Sequence, residues 1–165
     1  MKFSSLILLL TGLLAVTNSC SQPTKSSQKE LGVFVGATPC LKGSQPVSGI
    51  PQDSNCEFIK WKLTLYVNDK NEPANYRLEY EYGISQPSTE GFKDGKTVSA
   101  EGRWQINKGA NKNPAALVYQ LDPDNPSRSI SFIKLSDGIL HLLDNEKRLM
   151  VGNPGFSFTL NKVSK

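Results

Sequence analysis

The side chains of this sequence that could carry chemistry are few and scattered. His141 is the lone histidine, set in the run ILHLLD on the face opposite Leu140 and Leu142. Without a second imidazole, no zinc or copper set of the usual His and Cys composition can form around it. A hydrogen-bonded or surface histidine is expected. Asp122/Asp124 and Asp144/Glu146 are paired carboxylates, the residue types of acid–base work or calcium binding. Both pairs lie beside Pro or Asn, where Asp bonds to nearby backbone and builds turns. Nucleophile elbow, phosphate-cradling glycine loop and Ser/His/Asp set are all missing from the sequence. The chain is expected not to be an enzyme, and no cofactor or metal is implied.

The three cysteines divide by context. Cys20 follows a segment in which Lys2 precedes an apolar run at residues 6–16 (LILLLTGLLAV). That run is too short for a ~20-residue membrane span and fits the core of a signal peptide. Small or polar Thr17, Asn18 and Ser19 stand directly before Cys20, the place where a bacterial lipoprotein is cleaved and its cysteine acylated. Thr17 occupies the position where Leu is usual. Residues 1–19 therefore read as a signal peptide and Cys20 as the lipidation site. Two or three acyl chains, at about 0.8 kcal/mol per buried CH₂, hold such a protein on a membrane. Residues 20–30, polar and Ser-rich (SQPTKSSQK at 21–29), read as a flexible tether. Ser21 is not an acidic retention signal, so the expected address is the bacterial cell envelope, at the outer membrane.

Cys40 and Cys56 then belong to an oxidising compartment, where thiols pair. Their fifteen intervening residues give no compact metal spacing, and no CxxC occurs in the chain. A disulfide is expected, closing a 17-residue loop and contributing about 3 kcal/mol on the chain-entropy model. The enclosed LKGSQPVSGIPQDSN has two Gly, two Pro and little to bury. A redox or copper-binding pair is the competing reading.

The elements that must position these residues are strands. The chain has 165 residues, 38% hydrophobic and 21% charged, a composition of a globular protein. Its 19 basic and 15 acidic residues give +4, spread without a basic cluster, so no nucleic-acid partner is expected. Residues 57–68 (EFIKWKLTLYVN) alternate, with Ile59, Trp61, Leu63, Leu65 and Val67 on one face. Residues 76–83 repeat the pattern with Tyr76, Leu78, Tyr80 and Tyr82. A period of two with β-branched and aromatic residues marks a half-buried strand. Residues 96–107 place Val98, Ala100, Gly102, Trp104 and Ile106 together, and the small Ala100 and Gly102 suggest a bend or a close approach. Residues 32–37, 115–121, 128–135, 139–143 and 156–162 complete eight expected strands. Sequential hairpins favour an all-β fold, a small eight-stranded antiparallel up-and-down (lipocalin-like) barrel over residues 31–165. Trp61 and Trp104 are placed on inward faces of neighbouring strands. Trp61, Tyr66, Tyr80, Tyr82, Trp104 and Phe158 either line a cavity for a small apolar ligand or fill the barrel core.

The order of these features resembles the N-terminal domain of the NlpE family of bacterial lipoproteins. The matching segments are GVFVGATPC (32–40), KLTLYVND (62–69), YRLEYEYG (76–83), EGRWQI (101–106), LHLLDNEKRLM (140–150) and FSFTL (156–160). The family runs from a G-x-[YF]-x-G-x-[LT]-P-C-x-x-C stretch to a G-x-W strand and an L-x-x-L-D-x-[DN]-G-x-x-I segment. The resemblance implies a lipocalin-like barrel and a role in copper resistance or surface-sensing envelope stress signalling, with an envelope protein as partner. Cys40 matches the first cysteine of the family pair, but the next is Cys56, so the family's C-x-x-C is not preserved. Two expectations follow, a non-enzymatic envelope lipoprotein in stress sensing or copper tolerance, and a lipocalin-like carrier of a small apolar ligand.

Overall fold

The computed structural model of the chain describes residues 28–40, 47, 49–51, 53–110 and 112–164. Cys20, the signal segment and most of the tether lie outside the described residues. Eight strands run in chain order: β1 (Lys29–Pro39), β2 (Phe58–Val67), β3 (Pro73–Ser85), β4 (Phe92–Ala110), β5 (Asn113–Leu121), β6 (Ile130–Ser136), β7 (Ile139–Leu143) and β8 (Thr159–Lys162). Each pairs antiparallel with its neighbour, and β8 returns to β1 through Phe34↔Lys162 and Val35↔Asn161, closing the barrel. β1 begins at Lys29 because Lys29 and Glu30 pair with Val67 and Tyr66. The strand thus reaches two residues into the segment expected to be tether.

Alternation decides the faces. Across β2 and β3, Trp61 stands opposite Tyr80, Leu63 opposite Leu78 and Leu65 opposite Tyr76, one set of side chains pointing to one side of the sheet. These six are 0–3% exposed, and with Leu121, Phe132, Leu142, Phe158 and Leu160 they form the main core. A barrel of this strand number has an interior just wide enough for side chains to fill or to leave room for one small ligand. Closure depends on Gly36, since a Cβ there would lie 2.5 Å from the Thr159 carbonyl oxygen.

Three expectations need correction. Trp61 and Trp104 are both 3% exposed, but they stand on β2 and β4 with β3 between them; intervening β3 is the strand that both neighbours share. Ile106 is 44% exposed although it pairs with the buried Tyr119. β5 pairs with β6 only from Val118 onward, and Ile106, opposite Tyr119, stands at that rim, where the hairpin begins to outrun the body that would cover it. The Cys40–Cys56 segment also buries more than its composition suggests, because Val47 and Ile50 are 5% and 6% exposed and join the main core.

Candidate functional site

Most of the aromatic side chains singled out in the sequence fill the barrel. Trp61, Tyr80, Tyr82, Trp104 and Phe158 are all 5% exposed or less. A buried indole needs an acceptor for its N–H. Trp61 Nε1 donates to Thr38 Oγ1 at 2.8 Å, and Trp104 Nε1 donates to the Tyr66 carbonyl at 2.8 Å. The rings pack on one another, Trp61 edge-on to Phe132 with centroids 6.4 Å apart and Trp104 on Tyr119 at 4.9 Å. Tyr66 itself is half-buried, on the face away from this core.

Tyr80 has a second role. It lines a cavity of about 320 Å³ together with Val47, Tyr76, Leu78, Val98, Ala100 and Ile130, with Asp122 and Arg128 at its polar edge. The space arises from strand pairing. β4 pairs with β3 as far as Arg103 and with β5 from Trp104 onward. Among the described residues no strand pairs with the second edge of β4 before that switch. The last link is the Asp122 N–H donating to the Arg103 carbonyl at 2.9 Å, after which the chain leaves for the β5–β6 connection. The inward faces of β3 and β4 are left facing that connection across a cleft.

The polar edge is built by three side chains. Tyr76 Oη donates to Asp122 Oδ2 at 2.7 Å, and Arg128 Nη2 lies 3.3 Å from the same oxygen. Asp122 holds a left-handed φ of 44°, a conformation that Asp tolerates better than most residues. Its carboxylate sits directly over Gly102, where a Cβ would meet Asp122 Oδ1 at 2.1 Å and Tyr76 Cε1 at 2.9 Å. The small residue flagged in the sequence is thus the close approach. Burial, reinforced by the hydrogen bond and the charge of Asp122, pushes the Tyr76 phenol far above its ordinary range, with Arg128 partly offsetting this. Burial also raises the Tyr80 phenol, helped by the neighbouring Tyr82.

The remaining chemistry-bearing residues are held in structural roles. His141 Nε2 donates to the Met150 carbonyl at 2.9 Å and Nδ1 meets Thr159 Oγ1 at 3.0 Å, so both ring nitrogens are engaged. Asp144 Oδ1 accepts the backbone N–H of Glu146 and Arg148 at 2.8 and 2.9 Å, and Oδ2 takes Arg148 Nε at 2.8 Å. Burial opposes ionisation of Asp144, but these bonds prevail and hold its carboxyl below the usual range. Glu146 pairs with Arg148 at 2.9 Å, and Asp124 is exposed in its turn. A hollow of about 630 Å³ beside this turn is lined chiefly by polar turn residues, and in it Lys147 Nζ, pushed below the usual lysine range by burial, donates to Ser131 Oγ. Cys40 and Cys56 are joined as a disulfide with α-carbons 5.6 Å apart. Cys40 N–H also donates to the Glu57 carbonyl at 3.0 Å, carrying the β1–β2 ladder up to the bridge. Among the described residues no three His, Cys, Asp or Glu side chains come together as a metal site.

Sequence reasoning did not select Tyr76, Asp122 and Arg128 as a unit, nor Val47 as part of a cavity wall. Tyr80, named among the possible ligand-lining aromatics, and the small Ala100 and Gly102 were the signals that pointed there. The fold defines an eight-stranded antiparallel β-barrel with an apolar, tyrosine-lined cleft beside β4. In comparisons with family models, curated proteins and solved structures, no match to this chain was found.

Proposed function

We propose that the protein is a non-enzymatic lipoprotein of the bacterial cell envelope whose barrel binds a small, largely apolar ligand in the cleft beside β4. The observation that carries this reading is the cavity of about 320 Å³ with Leu78, Tyr80, Val98, Ala100 and Ile130 in its wall. Ligand sites are typically apolar clefts of about 300 Å³ or more, with a few convergent polar groups. A non-catalytic role accords with a histidine fixed on both ring nitrogens and with acidic residues used in turns. Anchoring through acyl chains on Cys20 accords with the apolar run that precedes it. The barrel would then be held at the outer membrane by its N-terminal end.

The segments resembling NlpE support a second reading, in which the same anchored barrel serves envelope stress sensing or copper tolerance. KLTLYVND and EGRWQI lie in the walls of the barrel around the core. The disulfide between Cys40 and Cys56 occupies both thiols and favours the ligand reading over a copper-binding pair.

The test has two arms. Cys20→Ala should leave an uncleaved precursor or a form without acyl chains, and normal acylation of that variant would end the lipoprotein reading. The oxidised mature chain carrying Cys20→Ser, which omits only the acyl chains, should bind the neutral fluorophore N-phenyl-1-naphthylamine saturably. Ala100→Phe, which fills the cleft, should abolish that binding. Fluorescence that rises without saturation, or is unchanged by Ala100→Phe, would overturn the ligand reading.

A further inference from the structure

The cleft has one charged edge, and its chemistry narrows the class of ligand; this inference rests on the ligand-binding reading above. Arg128 lies at the solvent boundary, its side chain 47% exposed, whereas the Asp122 side chain is 13% exposed. Asp122 Oδ2 already receives both the Tyr76 hydroxyl and Arg128 Nη2. A cationic head group would have to displace Arg128 to reach that carboxylate. Arg128 differs, because a guanidinium offers five N–H donors in a planar fork. Its contact to Asp122 uses one corner of that fork, and donors remain for a second acceptor at the mouth of the cleft. Asp122 and Tyr76 hold the guanidinium in place before any ligand arrives, which lowers the ordering cost of binding. Deeper in, Leu78, Val98, Ala100 and Ile130 present only carbon.

We infer that the cleft takes a single-chain amphiphile with an anionic head, the carboxylate or phosphate pairing with Arg128 and the chain lying against Leu78, Val98 and Ile130. Carboxylate and phosphate share the geometry that a guanidinium fork recognises. The cavity lies at the small end of ligand pockets, which suits one alkyl chain better than two. The Asp122 charge limits the affinity of the anion without abolishing it, since its own oxygen is already compensated by two donors.

The experiment displaces N-phenyl-1-naphthylamine from the oxidised Cys20→Ser mature chain with submicellar decanoate, decyl phosphate and 1-decanol. At least one anion should compete more strongly than decanol, and the better of the two identifies the head group. Arg128→Met should weaken that anion by about tenfold or more, the loss expected for one charge-assisted hydrogen bond, and leave decanol within about twofold. Arg128→Lys, which keeps the charge but not the fork, should fall between them and serves if the Met variant folds poorly. Ala100→Phe should block all three. Equal competition by decanol and both anions, or an anion preference that survives in both Arg128 variants, would overturn this inference and leave the ligand reading standing. Failure of every probe to bind would overturn the ligand reading itself, and this inference with it.

Discussion

The two sides of this barrel are built differently. Along β2 and β3 the strands match residue for residue from Phe58↔Gly83 to Leu65↔Tyr76, and β1 extends the same sheet without a break from Leu65 to Phe58 of β2. The inward positions of β2 are covered by the main core, so Trp61, Leu63 and Leu65 are 3% exposed or less. β4 instead divides its length between two neighbours, β3 and β5. Its inward residues before the switch, Val98 and Ala100, are only half-buried. Full pairing on both edges gives a filled interior, and a strand that changes partners leaves a gap where a ligand fits. Polar groups concentrate at that gap, because Tyr76, Asp122 and Arg128 can satisfy one another there.

The strongest way to break this comparison is to empty the packed side. Trp61→Ala should destabilise the barrel by about 3–5 kcal/mol, the range for removing a large buried aromatic. Trp104→Ala should cost the same, both indoles being 3% exposed. Urea unfolding measures the loss, and a change below about 1 kcal/mol would mean that the core tolerates a void of that size. Val98→Ala in the cleft wall should cost distinctly less.

Next in size is the disulfide. Reduction, or Cys40→Ser with Cys56→Ser, should lower stability by about 3 kcal/mol on the loop-entropy model. Val47 and Ile50, packed in the core at 5% and 6% exposure, retain part of the loop's order without the bridge. Unreduced mass spectrometry should find no free thiol on Cys40 or Cys56, and two free thiols would contradict the pairing.

Gly102→Ala sharpens the contrast on the open side. The added carbon meets Asp122 Oδ1 at 2.1 Å, so the carboxylate must move, at a cost of about 1–3 kcal/mol for an overpacked site. The Tyr76–Asp122 contact should be lost with it. Ala at 102 with unchanged stability would show that the edge of the cleft is pliable.

The smallest effect is a pH dependence. Tyr76 and Tyr80 are both raised in the fold relative to an ordinary phenol. A group raised in this way contributes stability that is fully present below about pH 10, the unfolded value. That stability is lost as pH climbs above that value towards the folded one. Stability should therefore fall in the alkaline range, and Tyr76→Phe should flatten the fall while costing about 1 kcal/mol at neutral pH for the lost hydrogen bond. Tyr76 and Tyr80 should titrate above an ordinary phenol in the ultraviolet. Early titration of Tyr76 would place its ring in water and remove the polar edge of the cleft.

Much of this was legible in the residues. The alternation of EFIKWKLTLYVN and YRLEYEYG set the inward faces of β2 and β3, and the structure keeps both. The His141 environment was legible in outline, because one histidine among alternating leucines has its ring on the outer face. The turn after Leu143 shows where motif reading stops. Its left-handed residue is Lys147, with φ of 61°, at the place that glycine holds in the resembled L-D-x-[DN]-G segment. The cleft was not legible, because Tyr76 and Asp122 are 46 residues apart and no local pattern links them. Val47 and Ile50 were equally hidden, two apolar residues in a run of Gly, Pro, Ser and Gln.

The sequence by itself determined the order of the strands, most of their inward sides and the pairing of Cys40 with Cys56, all consequences of short-range periodicity or of how few cysteines could meet. A period of two is a property of neighbouring residues, and it assigns faces before any strand has found a partner. The tertiary structure alone decided where β4 exchanges β3 for β5 and which side chains meet across the resulting gap. Closing a barrel fixes strand lengths, tilt and stagger together. The place where a long strand outruns its neighbour therefore belongs to the whole sheet and to no single segment of the chain.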